Sequence, residues 1–405
     1  MEFDDKDDKV ITLDIGGVRY TTTLSVLRSF IRSMLGAMFA EHNSQMLHAE
    51  NDGSFKIDYH CERFDWILDF LGDHNDQRFR KRIAGLSEED RRQLRRDVDF
   101  FGVFEEVFWL EKYLVHPGPR MRIARRGCAT VKCGRKLYVL GGWNGDGPLS
   151  SMEILNLDTM EFEEGSRMNS RQRGYAAVQI DESRILVIGA MLNTTEVLDT
   201  VTGEFVPGPP LLTARFYPSA VAIDEHRVLI VGGGSYGDYE DATTEVLDIR
   251  TMTFSPGPEM RSSRSRCGAV KLDSNRILVV GNHGSAASLD ITSADITSWS
   301  FVPGPTMSLE CTDVTSVVPL HDSGHFLFVG GTASRGRATN ATEVLDVNTM
   351  SFKPGPVMRA GRDFCAAAAL DDRRIIVLGG TGSNYQWLSS SEVITINNDV
   401  AAEEW

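Results

Sequence analysis

The chain has 405 residues, of which 41% are apolar and 24% are charged, a balance typical of a folded globular protein rather than a disordered one. Its formal net charge of −15 disfavours general binding to nucleic-acid phosphates. No apolar run approaches the roughly 18–20 residues that span a bilayer, and the acidic start MEFDDKDDKV is unlike a secretory signal, so the sequence predicts a location in the cytoplasm or nucleus.

The first hundred residues alternate strand and helix patterns. VITLDIGGVRY predicts a hairpin around Gly16-Gly17, and the apolar spacing from Leu24 to Met38 predicts a helix. The turn Asp52-Gly53 precedes a strand over 55–57. A further helix is expected from Phe64, and a last one from the cap residue Ser87 to Phe101. This part of the chain is predicted to be a small α/β domain.

The motifs of this domain resemble a known family. VITLDIGGVRYTT, DGSFKIDYHCERFDWILDFL and VDFFGV occur in the order found in the BTB-type tetramerisation domain of potassium channels and their soluble relatives. The resemblance implies a homo-oligomerising α/β domain over residues 10–110 and leaves the number of subunits open. The His and paired Cys that some channel members use for interfacial zinc are missing from it, so no metal is expected there.

From residue 115 onward the sequence repeats. Apolar strands end at glycines whose spacings are 48, 43, 49, 49 and 49, at Gly141, Gly189, Gly232, Gly281, Gly330 and Gly379. EVLD-like strands and an aromatic residue followed by PGP recur with the same period, so that each unit offers four short strands. The period and the glycine doublet resemble kelch repeats, which implies an all-β, six-bladed kelch β-propeller over residues 115–405.

The two ends of the repeat region predict how such a propeller closes. A copy of the PGP motif, HPGPRM, lies before the first glycine doublet at 116–121, and no PGP follows the last unit. A strand from residues 113–119 is therefore expected to complete the sixth blade, which removes an open sheet edge. The tail NNDVAAEEW is an alternative source of this strand, and the sequence leaves the choice open.

The sequence offers little that predicts catalysis. The glycine doublets lack the Lys-Ser/Thr and helix start of a phosphate loop, and no GxSxG elbow occurs. His321 and His325 lack a third metal ligand nearby. The basic runs at 78–82 and 91–96 are interpreted as a solvated helix face, with an import signal or an acidic partner's docking site as the alternative. We therefore expect no catalytic residue, no metal and no cofactor.

An arginine recurs four residues after the Met, or its Leu substitute, of most units. The members are Arg125, Arg215, Arg264 and Arg362, whereas Gln172 and Cys311 occupy this position in the second and fifth units. Their position at the start of the innermost strand predicts a ring at one end of a central channel. Two roles are left open: pairing with a repeat glutamate such as Glu245 or Glu343, or bidentate binding of an acidic peptide.

The loops after the glycine doublets are the second candidate for partner binding, because the kelch resemblance places them on the same face as those arginines. They contain aromatic and arginine side chains, the residue types that dominate interface energies. These are Trp143, Tyr236, Tyr239, Arg335, Arg337, Tyr385 and Trp387. The alternative is local packing within the loops.

Together the two resemblances imply a BTB–kelch protein without enzymatic activity. The first hypothesis is a substrate adaptor whose BTB domain oligomerises and docks a cullin-3-type scaffold while the propeller recruits a substrate for ubiquitin transfer. The second is an oligomeric scaffold for cytoskeletal or signalling proteins. The long helical segment that many BTB–kelch proteins insert between the domains is missing, which leaves cullin binding and the partner's identity open.

Overall fold

The computed structural model describes residues 10–28, 52, 54–57, 64–65, 67–68, 86–101, 113–172, 174–189, 193–235, 239–281, 285–290, 299–307, 316–320, 324–333 and 337–396. The chain divides into two compact units, and the second unit comprises residues 114–397. No helix among the described residues is long and apolar enough to cross a membrane.

The first unit contains a three-stranded sheet in the order β2-β1-β3 and two described helices. Their bounds are β1 Val10–Ile15, β2 Val18–Thr23, α1 Leu24–Arg28, β3 Phe55–Ile57 and α2 Glu88–Phe100. Gly16 and Gly17 both have positive φ, +59° and +90°, which a two-residue hairpin between twisted strands requires. The Ser87 hydroxyl accepts a hydrogen bond from the Asp90 amide at 3.2 Å, so the predicted cap starts α2. The basic run at 78–82 lies outside the described residues.

The second unit contains six four-stranded antiparallel sheets, numbered here one to six along the chain. Sheet one holds β5 Ala129–Cys133, β6 Lys136–Leu140, β7 Leu149–Asn156 and β8 Glu161–Gln172. Sheet two holds β9 Ala176–Gln179, β10 Arg184–Ile188, β11 Thr195–Asp199 and β12 Phe205–Pro207. Sheet three holds β13 Ser219–Ala222, β14 Arg227–Val231, β17 Thr244–Asp248 and β18 Thr253–Pro256, with the ribbon β15 Gly234–Ser235 and β16 Tyr239–Glu240 beside it in sequence.

The remaining sheets follow the same plan. Sheet four holds β19 Gly268–Lys271, β20 Arg276–Gly281, β21 Ser285–Asp290 and β22 Ser300–Pro303. Sheet five holds β23 Ser316–Pro319, β24 His325–Val329, β27 Thr342–Asp346 and β28 Ser351–Pro354, with the ribbon β25 Thr332–Ala333 and β26 Arg337–Ala338. Sheet six holds β29 Ala366–Ala369, β30 Arg374–Leu378, β31 Ser391–Ile396 and β4 Tyr113–Pro117.

The strand from the start of the repeat region completes sheet six, as the PGP copy predicts. The Ser391 hydroxyl donates to the carbonyl of Pro119 at 2.5 Å, and the Gly118 amide donates to the Ser391 carbonyl at 2.9 Å. In sheets whose PGP motif follows in sequence, a threonine hydroxyl makes the equivalent bond to a proline carbonyl, for example from Thr244 to Pro258 at 2.7 Å. A segment more than 270 residues away in sequence therefore takes the place of the sixth unit's own PGP.

The apolar core lies between neighbouring sheets. Tyr138 and Leu140 of sheet one pack with Val187 of sheet two, and similar clusters join sheets two to three, three to four, four to five, and six to one. Each sheet's first strand contacts the first strand of the next sheet, and β29 contacts β5. Because a four-stranded sheet cannot bury both of its faces alone, each sheet depends on its neighbours.

Candidate protein-binding face

In sheets one, two, three and six a buried glutamate anchors the segment that leads into the first strand. In sheet six the carboxylate of Glu392 accepts hydrogen bonds from the amides of Arg359, at 2.6 Å, and Ala360, at 3.1 Å. Equivalent pairs of amide bonds reach Glu153, Glu196 and Glu245 in sheets one, two and three. The Met or Leu that opens each segment is buried, so the segment is fixed by one apolar and one charged contact.

Three of the four recurring arginines pair with these glutamates. Arg125 donates to Glu153 at 2.8 Å, Arg215 to Glu245 at 3.0 Å, and Arg362 to Glu392 at 3.0 Å. All four arginines have at most 3% of their side chains exposed. The guanidinium groups also bond backbone carbonyls nearby, as in the bonds of Arg362 to Gly379 and Ser390 at 2.8 and 3.0 Å.

These contacts correspond to the first of the two roles that the sequence left open for the arginines, pairing with a repeat glutamate. The four arginine side chains are almost fully buried, so in this structure they present almost no surface to a partner. Arg264 donates to the Gly281 carbonyl at 3.1 Å, and Ala287 occupies the glutamate's register position in its sheet. Cys311 lies outside the described residues, as does the side chain of Gln172.

The loops after the glycine doublets are joined directly to the segments that enter the first strands. Arg126 and Trp143 exchange two backbone hydrogen bonds, of 3.0 and 2.9 Å, and Asp363 and Thr381 exchange two of the same lengths. Phe216 and Gly234 do the same in sheet three. In sheets one, three and six the two sets of loops therefore lie side by side at the same end of the sheet.

Sheets five, six and one bring several predicted side chains together on this face. Tyr385 is 66% exposed and Trp387 is 42% exposed, and Trp143 is half-buried. A Cβ at Gly145 of the Trp143 loop would lie 3.0 Å from the Trp387 ring, so these two loops touch. Arg337 is exposed beside Ala338, whose carbonyl accepts the Ser383 hydroxyl of the Trp387 loop at 3.5 Å. Tyr236, Arg335 and the side chain of Tyr239 lie outside the described residues.

A central cavity of about 180 Å³ is lined by the first strands of all six sheets. Cys128, Cys267 and Cys365 occupy equivalent positions in its wall. Burial raises the pKa of the Cys128 thiol to about 11 and that of Cys365 to about 12. These thiols are therefore protonated at neutral pH, which makes them unsuitable as nucleophiles.

Four side chains that the sequence patterns did not single out form a cluster at this cavity, which we call the mouth cluster: Arg126, Tyr217, Arg266 and Phe364. Tyr217 and Arg266 line the cavity, Phe364 contacts both of them, and Arg126 contacts Phe364. Arg126 follows the repeating arginine of its unit by one position, and the other three follow theirs by two. Comparing that second position across units gives Gly127, Gly174, Tyr217, Arg266, Asp313 and Phe364. At this repeat position two units have glycine and the other four have a side chain, and this difference was the sequence signal that could have identified the cluster.

Comparisons with known proteins agree with both resemblances. A family model described as BTB/POZ domain matches residues 11–110, and one described as Kelch motif matches residues 124–169. The BTB/POZ domain-containing protein KCTD21 of Mus musculus and that of Homo sapiens are each 39% identical to this chain over 95 residues. That alignment covers 23% of this chain and 33% of each relative, so the chain spans about a third of the length of these curated relatives. The chain thus contains a BTB/POZ domain and a kelch motif, the pair of modules that characterises protein-interaction adaptors.

Proposed function

We propose that this chain is a non-catalytic adaptor in which a BTB domain over residues 10–110 forms homo-oligomers and docks a cullin-3-type ubiquitin ligase. In this proposal residues 115–405 form a six-bladed kelch propeller that recruits the substrate. The six sheets and the contacts that link their first strands, including β29 with β5, support the propeller. Oligomerisation through the BTB domain would place several propellers on one hub, so that weak recognition gains avidity.

The observation that carries the recruiting role is the exposed aromatic face formed by Trp143, Arg337, Tyr385 and Trp387. Exposed aromatic side chains next to arginine are common among residues that contribute most to binding energy. The loops are held in place by backbone pairs to the first strands, so little ordering is needed when a partner binds. The four free, buried cysteines among the described residues fit a reducing compartment, which supports the cytoplasmic or nuclear location.

Cullin docking is tested by titration calorimetry of the full-length chain with the amino-terminal domain of a cullin-3-type protein. Micromolar or tighter binding is expected. The absence of binding by a folded, oligomeric chain would reject this part of the proposal and leave the scaffold function.

Substrate recruitment is tested by comparing partner capture by the wild-type chain and by Trp387→Ala. The matched control is Val201→Ala, since Val201 is 82% exposed in the turn after β11. Capture should fall for Trp387→Ala and not for the control. Equal capture by the two variants and the wild type would contradict the assignment of this face.

One observation favours the alternative of an oligomeric scaffold without a ligase role. The BTB/POZ match ends at residue 110 and β4 begins at Tyr113, so there is no room between them for the long helical segment that contributes to cullin binding in many BTB–kelch proteins. Retained partner capture without cullin binding is the outcome that this alternative requires.

A further inference from the structure

Three of the four members of the mouth cluster have an unusual backbone conformation. Tyr217, Arg266 and Phe364 have φ angles of +55°, +52° and +46°, and Gly127 and Gly174 adopt the same left-handed region at the equivalent positions. The conformation has a structural cause, because it joins neighbouring sheets. The amide of Gly127 bonds the Phe364 carbonyl at 2.9 Å, and the amide of Arg266 bonds the Tyr217 carbonyl at 3.1 Å.

The side chains at these positions are not required by that backbone. Glycine adopts positive φ without strain, as it does in sheets one and two, whereas Tyr, Arg and Phe are strained there. Large side chains in a conformation that favours glycine indicate that the side chains themselves have a role. The two glycines also make room for one of them: a Cβ at Gly174 would lie 2.8 Å from the Tyr217 ring, and a Cβ at Gly127 would lie 3.1 Å from it.

The cluster concentrates positive charge around aromatic rings. The Arg266 guanidinium lies 5.3 Å from the centre of the Phe364 ring and 5.6 Å from that of Tyr217. The Arg126 guanidinium lies 5.5 Å from the same Phe364 ring. Two cations therefore share one aromatic ring in the mouth cluster, in a chain whose net charge is −15.

Arg126 is poised for an additional contact. The residue is half-buried, and no acceptor among the described residues bonds its buried Nε. Asp363, which precedes Phe364 in the sequence, is buried, and its carboxylate accepts a hydrogen bond from the Thr332 hydroxyl at 3.5 Å. A guanidinium stacked on an aromatic ring keeps its N–H groups at the ring's edge, where they can bind an oxygen anion bidentately.

We propose that the mouth cluster binds a phosphorylated serine or threonine side chain of the partner protein. A single carboxylate is matched by one guanidinium, whereas a phosphomonoester carries nearly two negative charges and three acceptor oxygens, which matches the two arginines. The exposed aromatic loops adjoin the mouth through the Arg126–Trp143 backbone pair, so the flanking partner residues would contact the rim. This inference rests on the proposed function, since it specifies what the partner presents to the same face.

The test is calorimetric or NMR titration of the full-length chain with three probes: N-acetyl-phosphoserine amide, N-acetyl-glutamate amide and inorganic phosphate. The phosphoserine probe is expected to bind most tightly. The double variant Arg126→Gln/Arg266→Gln should weaken that binding by about tenfold or more, as the loss of charge-assisted hydrogen bonds requires. Arg122→Gln is the matched control, because Arg122 is exposed in the same segment and should leave binding unchanged.

Several outcomes would overturn the inference. They are the absence of phosphoserine binding, equal affinity for the glutamate probe or for inorganic phosphate, or an equal loss in Arg122→Gln. If the double variant fails to fold in thermal unfolding, Arg126→Gln alone provides the test, because the stack on Phe364 is the side-chain contact that the described part of the chain shows for Arg126. Partner capture separates this inference from the proposed function. If capture falls for Trp387→Ala but not for the arginine variants, the recruiting face stands and the phosphate site fails.

Discussion

The buried arginine–glutamate pairs predict a large loss of stability when the arginine is removed. In Arg362→Met the new side chain keeps the apolar stem but removes all the hydrogen bonds that the guanidinium makes to Gly379, Ser390 and Glu392. The Glu392 carboxylate is then left buried, with only the amides of Arg359 and Ala360 as donors. Partner binding, in contrast, is not expected to depend on this side chain directly.

The size of the loss follows from the burial of the pair. Both side chains are at most 3% exposed, so solvent screens the remaining charge poorly. Removing one member of a buried ion pair typically costs about 3–5 kcal/mol. For a domain of a few hundred residues, each kcal/mol lowers the melting temperature by about 2–4 °C, so a fall of roughly 6–20 °C is expected.

The assay is thermal and urea unfolding followed by circular dichroism, with Arg126→Met as the control. Arg126→Met loses the cation–π contact with Phe364, which is worth about 0.5–2 kcal/mol, so this variant should melt much closer to the wild type. The double variant Arg362→Met/Glu392→Leu should lose less stability than the two single variants added together, because both singles break one interaction. A loss below about 1 kcal/mol in Arg362→Met, or one equal to that of Arg126→Met, would refute the structural role of the buried pairs.

Three further predictions concern the sheets themselves. Gly379→Ala should destabilise the chain far more than Gly134→Ala. The φ angles of the two glycines are nearly equal, +59° and +58°. At Gly379 the new Cβ would lie 2.3 Å from the Arg125 carbonyl oxygen, whereas at Gly134 it would meet open space. Equal melting temperatures of the two variants would contradict this prediction. The stability of the chain should decrease as the pH falls below 3.8, and Asp371→Asn should flatten that dependence in pH-dependent urea unfolding. Burial raises the pKa of Asp371, but the amides of Arg373 and Arg374 and the Arg374 side chain outweigh it and hold the pKa below 3.8, so the stabilisation is lost on protonation. A fragment of residues 113–405 should unfold cooperatively and give a β-rich circular dichroism spectrum. A fragment of residues 121–405, which lacks β4, should melt at a lower temperature because one edge of sheet six is then unpaired. The same melting temperature for both fragments would show that β4 is dispensable.

Local sequence patterns were sufficient for the elements and their repetition. The hairpin at Gly16-Gly17 is encoded by alternating residues and two glycines with positive φ, both of which are properties of a few adjacent residues. The four strands of each sheet follow from apolar runs, the EVLD-like segments and the PGP motif in the same way. The pairing of β4 with β31 was also predictable, because the missing PGP of the last unit occurs at the start of the repeat region.

The chemical roles of the arginines required the tertiary structure. Arg125 and Arg126 are adjacent and identical in type, yet one is fully buried against Glu153 and the other stacks on Phe364 in the mouth cluster. Their separation depends on a glutamate 28 residues away and on an aromatic ring from another sheet, contacts that no local pattern encodes. The sequence by itself thus determined which elements form and how they repeat, because hydrogen-bonded turns and strand alternation act over a few residues. Only the packing of one sheet against the next decided which side chains remain available to a partner, because burial is a property of the assembled sheets.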